Sequence, residues 1–135
     1  MKLGMSCYCL DPLMSDGRMT EDDVVDFAVK NGCEHIEFVP FNLEFVKPDL
    51  TIDEELVKHV REKCASAGIE ISTYSVNGNL LMTDEKEQAF EIERIKRHID
   101  VAEKLGIRRM RFDVASFRRP FSTNTIHNFN LEFPQ

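Results

Sequence analysis

Three glycines constrain this chain more than any other feature. Gly32, Gly68 and Gly106 occur in KNGCEHIEF, SAGIEISTY and KLGIRRMRF, spaced 36 and 38 residues apart. Each closes an amphipathic stretch and opens a short run of β-forming residues. That spacing is one strand plus one helix, with glycine just past the helix end, where a left-handed residue is wanted. A chain that repeats this unit is committed to parallel strands joined by right-handed helical crossovers.

Start signals mark the helices. Thr20 precedes EDDVVDFAV, whose acidic first turn suits the helix dipole. Thr51 with Glu54 fits a capping box, and Asp84 with Glu87 repeats the idea. Apolar residues recur at the helical period: Val24, Val25 and Ala28; Leu56, Val57, Val60 and Cys64; Ile92, Ile95, Ile99 and Ala102. One stripe per helix means that each helix covers one face of a sheet. The expected strands are 2–9, 35–39, 70–74 and 109–113, giving the order β-α-β-α-β-α-β with three helices.

Strands buried on both faces read as continuous apolar runs. These alternate instead. Ile36 and Phe38 alternate with His35 and Glu37; Met110 and Phe112 with Arg109, Arg111 and Asp113; Met5 and Cys7 with Gly4, Ser6 and Tyr8. One face takes the helices, and the other is small, polar or charged. Such a sheet suits a barrel wall, whose second face points into the lumen and opens at the strands' C-terminal ends. The alternative, a flavodoxin-like domain, requires helices on both faces. The expected fold is therefore a partial (β/α)8 barrel over residues 1–113, followed by an irregular tail over 114–135.

Composition narrows the partners. Apolar residues make up 42% of the 135 and charged residues 30%, which is enough for one core. A net charge of −7 disfavours a nucleic-acid backbone and an anionic membrane surface. MKLGMSCYCL is too short and too polar for a signal peptide or a membrane span, so the expected location is cytoplasmic. Cys7, Cys9, Cys33 and Cys64 form no CxxC pair and are expected as free, buried thiols; a soft-metal site from Cys7, Cys9 and Cys33 has no supporting spacing. No GxGxxG, GxxxxGK[ST] or GxSxG motif occurs.

The segments MKLGMSCYCL, NGCEHIEF, AGIEISTYSVNGNLL and LGIRRMRFDVAS, in this order and spacing, resemble the first half of a sugar phosphate isomerase/epimerase of the xylose isomerase-like TIM-barrel superfamily. The resemblance covers essentially the whole chain, and RRPFSTNTIHNFNLEFPQ resembles the approach to the family's fourth helix. It implies metal-assisted isomerisation or epimerisation of a small sugar or sugar phosphate. The family's divalent metal is held by Glu, Asp, His and Glu of later strands, which map to no position here. A truncated chain inactive on its own is expected, with no metal of its own. The alternative is a non-catalytic binding or structural half barrel. Unpaired sheet edges, or the lumen face, would draw copies together as a homo-oligomer.

Residues at the strand ends would line half of a pocket. Tyr8 either hydrogen-bonds a sugar or packs on Phe41. Glu37, with His35 on the same face, either moves a proton, supplies one edge of a metal site, or pairs with Arg111 across the lumen. Asp113 reaches the pocket or caps the next loop, and Arg109 and Arg111 fit the same scheme. Tyr74, Ser75, Asn77 and Asn79 form a loop suited to hydroxyl recognition or simply to turning the chain. Arg118 and Arg119 either grip a phosphate or carboxylate or stay solvated. His59 and His98 are expected on exposed helix faces, and His127 in the tail has no visible partner.

Overall fold

The structure is a computed structural model, and it describes residues 1–115. Arg118, Arg119, His127 and most of the expected tail lie outside the described residues. Four strands form one parallel sheet: β1 (Gly4–Ser6), β2 (His35–Phe38), β3 (Glu70–Val76) and β4 (Met110–Phe112). Their spatial order is β1-β2-β3-β4, each strand beside the next in sequence. A flavodoxin-like sheet would cross over after its first strand. The sequential order is that of a barrel wall.

The helices are α1 (Asp11–Ser15), α2 (Glu21–Lys30), α3 (Glu54–Ala67) and α4 (Glu85–Lys104). Short α1 was not expected from sequence. It follows a 3-10 turn over Cys7–Leu10, so β1 stops at Ser6 instead of running to Cys9. Two local features end the strand: Ser6 Oγ accepts the Tyr8 N–H, and Pro12 begins a helix. Cys7 remains buried beneath β2, where its sulfur accepts the Val39 N–H at 3.1 Å. Burial pushes its thiol up to about 11, an inert state. Burial likewise raises Cys64 to about 12. Cys9, beyond the end of the strand, is exposed, contrary to the expectation of four buried thiols.

Helix starts follow the capping logic with one correction. Thr20 and Asp23 form a reciprocal capping box on α2. Asp84 accepts the N–H groups of Lys86 and Glu87 on α4. On α3 the cap is Asp53, which accepts the Leu56 N–H, and not Thr51. Thr51 instead bonds Asp49 inside the preceding turn. The three repeat glycines have φ of 76°, 69° and 76°, as the left-handed exits require.

The core lies between the sheet and its helices. Ile36 and Phe38 point into it, against Val24, Val25 and Ala28 of α2 and Val57, Val60 and Cys64 of α3. The β2–α3 connection adds Leu43 and Phe45, both buried, in a segment tied down by an antiparallel bridge between Val46 and Ile52. α4 departs from its apolar pattern. Ile92 and Ile99 are exposed, whereas Glu91 and His98 are buried beside Ile95, Val101 and Ala102. The helix has turned a polar stripe inward.

Candidate functional site

The C-terminal ends of the strands surround a pocket of about 330 Å3. Ser6 ends β1, Glu37 lies on β2, Ser75 on β3 and Arg111 on β4, all on the face away from the buried Ile36 and Phe38. Tyr8, Asn77 and Asp113 close its rim from the segments that follow the strands. Four of the six substrate-binding candidates thus meet in one place: Tyr8, Glu37, Asn77 and Asp113. Arg118 is outside the described residues.

Tyr74 is the correction. β3 runs on to Val76, so Tyr74 sits inside the strand and not in the loop after it. A bulge shifts the β2–β3 register between Ile36 and Glu37, and Tyr74 then pairs with Phe38. Both side chains enter the core, where Tyr74 is fully buried. The residue facing the pocket is its neighbour Ser75.

Glu37 has a defined partner. Ser75 Oγ donates to its Oε1 at 2.5 Å. Arg111 lines the same pocket, but no ion pair of 4 Å or less joins them; the expected cross-lumen pair does not form. The Glu37–His35 pairing does not form either. His35 Nδ1 lies 3.0 Å from Ser72 Oγ, deeper in the lumen. Its ring lies across Gly4 so closely that a Cβ there would stand 1.9 Å from His35 Cε1. Glycine at this position therefore makes room for an imidazole on the lumen floor. Tyr8 stacks on Phe41 with ring centroids 5.4 Å apart and remains 42% exposed, so its packing and its place on the rim coexist.

Behind the pocket wall is a buried polar network that was not expected from sequence. Glu91 accepts both Nε and Nη2 of Arg94 at 2.9 Å, a forked pair. Arg94 Nη2 also donates to the Asn77 carbonyl, and Glu91 accepts the Asn79 N–H at 3.0 Å. Arg94 Nη1 lies 3.1 Å from His98 Nε2. Arginine can only donate, so Nε2 accepts and Nδ1 carries the proton, donating to the Tyr74 hydroxyl 2.8 Å away. Burial, with the Arg94 charge, lowers His98 to about 4, and burial raises the Tyr74 hydroxyl well above its ordinary range. The expected exposed His98 is in fact neutral and enclosed. His59, half exposed, lies 2.8 Å from Asp22. An E-x-x-R-x-x-x-H spacing on α4 was the available signal, since it sets all three residues on one helical face.

The family model for the xylose isomerase-like TIM barrel matches residues 25–128. The chain belongs to this family. Two solved structures share the barrel fold. One is the probable 3-DHS dehydratase AsbF of petrobactin synthesis from Bacillus anthracis, with TM-score 0.61 and 18% identity over 83% of this chain and 38% of that one. The other is SacUVDE, with TM-score 0.52 and 13% identity over 87% of this chain and 50% of that one. The chain therefore spans half or less of the length of these xylose isomerase-like barrels. No curated protein matches it in sequence.

Among the described residues, no three His, Cys, Asp or Glu side chains come together as a cation would need. Glu37, His35 and Asp113 do not form a donor set, nor do Cys7, Cys9 and Cys33. The described residues do not fit the divalent metal implied by the barrel family. No helix among the described residues is long and apolar enough to cross a membrane.

Proposed function

We propose that the lumen pocket is one wall of a binding site for a small hydroxyl-rich ligand, a sugar or sugar phosphate, in an isomerase- or epimerase-type barrel. The observation behind this is the convergence of Glu37, Ser75, Asn77, Arg111 and Asp113 from three strands and their following segments on one pocket. Carboxylates and amide groups accept and donate to hydroxyls, Arg111 suits a phosphate or carboxylate, and the Tyr8 ring can cover an apolar sugar face. A few fixed polar groups in a concave site are what orient such a ligand.

The 135-residue chain binds but does not turn over its ligand, because the pocket offers a wall without an assembled acid, base and cation. The parent reaction is metal-assisted isomerisation or epimerisation, carried by the remainder of a barrel. The outer edges of β1 and β4, which pair with no further strand among the described residues, and exposed Ile92, Ile99, Phe112 and Val114 favour a homo-oligomer. Calorimetric titration with aldoses, ketoses and their phosphates should show binding that Glu37→Gln and Arg111→Gln weaken. Turnover of any of them by the purified chain would overturn the inactive half-site, and a monodisperse monomer in light scattering would overturn the assembly. Absence of binding to every sugar would leave a structural half barrel as the better account.

A further inference from the structure

The charge of the molecule is unevenly placed. Among the described residues, Arg18, Arg94 and Arg97 each pair with a carboxylate. Arg61, Arg108, Arg109 and Arg111 have no carboxylate within 4 Å among the described residues. Arg111 belongs to the lumen pocket. The other three line a single cleft of about 650 Å3 at the opposite end of the sheet, below the start of β3 and β4 and beside the C-terminal turns of α3 and α4.

Little in the cleft neutralises them. Arg61 Nη1 makes one long bond, 3.4 Å, to the Lys104 carbonyl at the end of α4. Glu70 is the single carboxylate among the lining residues, and Lys2 already approaches it at 3.6 Å. Three guanidinium groups share this concavity with the single carboxylate of Glu70, so on a chain with net charge −7 positive charge is locally in excess and its repulsion is only partly offset. An anion between them would remove that repulsion. The guanidinium fork matches tetrahedral oxyanions through paired N–H donors.

We propose that this underside cleft binds a small polyvalent oxyanion of the phosphate or pyrophosphate class, free or carried on a small molecule, with Arg61, Arg108 and Arg109 as its ligands. The surroundings limit the ligand's size. Glu54 and Glu62 line the adjoining groove between α3 and α4, where Lys104 and Lys58 pair with them, and Glu103 lines the groove on the other side beside Arg108. A polynucleotide longer than the cleft would run onto grooves whose cations are largely paired with these carboxylates, whereas a compact anion would stay among the three arginines. The site is separate from the lumen pocket and does not depend on the ligand proposed there.

The test is calorimetric titration of the full chain with inorganic pyrophosphate at constant ionic strength. Saturable binding is expected, weakened about tenfold by Arg108→Gln or by Arg109→Gln, and further by the double variant. All three arginines are exposed, so these variants should melt as the parent does. Arg18→Gln, at an exposed arginine that lines neither pocket, should leave pyrophosphate binding unchanged. Binding insensitive to the Arg108 and Arg109 changes, binding lost with Arg111→Gln, or no saturable heat at all would overturn the site. A short single-stranded DNA that binds the cleft more tightly than pyrophosphate would overturn the small-ligand assignment.

Discussion

The lumen pocket and the α4 network lie on opposite sides of β3, and both are built from polar residues. They differ in what surrounds those residues. Glu37 shares its pocket with open space and one hydroxyl partner. Glu91 is 3% exposed and accepts from an arginine fork and a backbone N–H. Polar groups whose bonding capacity is used internally have little left for a ligand, whereas those facing open space keep theirs. The network stabilises the wall, and the pocket is where the wall keeps polar groups that a ligand could use.

The sharpest way to break this contrast is Arg94→Met. It would leave the Glu91 carboxylate buried without its charge partner and release the Asn77 carbonyl. Loss of about 3–5 kcal/mol is expected in urea denaturation, the usual cost of orphaning a buried charge. A loss below about 1 kcal/mol would mean that solvent reaches Glu91.

The next effect is a pH dependence. His98 titrates at about 4 in the folded chain, against an ordinary 6.5. Between those values the unfolded chain takes up a proton that the folded chain does not. Stability should therefore fall as pH drops from about 6.5 to about 4, by about 3 kcal/mol from this group. Comparing urea midpoints across that range for the parent and His98→Gln isolates the contribution. Equal slopes in the two proteins would show that His98 is not held neutral.

A smaller loss, about 1–2 kcal/mol, is expected for Tyr74→Phe, which removes the oxygen that accepts His98 Nδ1–H. Pyrophosphate and sugar binding should survive that change, since the side chain enters the core. At the bottom of the scale, Glu37→Gln should shift the urea midpoint by no more than about 0.5 kcal/mol while weakening sugar binding. If Glu37→Gln destabilises the chain as strongly as Tyr74→Phe, the pocket is a structural network too and the contrast fails.

Much of the wall was legible in sequence because it depends on periodicity. Ile36 and Phe38 alternate with His35 and Glu37, which sorts the faces of β2 without any knowledge of neighbours. Gly68 past α3 marks a chain exit that few other residues tolerate. The errors arose where tertiary pairing overrides the local pattern. A bulge opposite Ile36 and Glu37 reassigns Tyr74 to the core, and nothing in EISTYSV announces it. Ile92 and Ile99 look like the buried stripe of α4. The helix instead turns inward Glu91 and His98, because Arg94, Tyr74 and the Asn79 backbone satisfy them. Charged residues are assigned outward by default, and only the identity of their partners reverses that assignment.

The sequential order of the strands also bears on how the chain folds. Every pairing in the sheet joins one unit to the next, so each new strand docks after closing a loop of one unit's length. The cost of closing a loop rises with its length, so each neighbour pairing costs less than one that would span the whole sheet. Hydrogen exchange should then show protection spreading from the β2–β3 pair outward. Joining the two outer edges of such a sheet into a ring is a different event, the one step that must bring distant ends together. Growth of such a wall needs only neighbours, whereas closure into a cylinder would need the two ends.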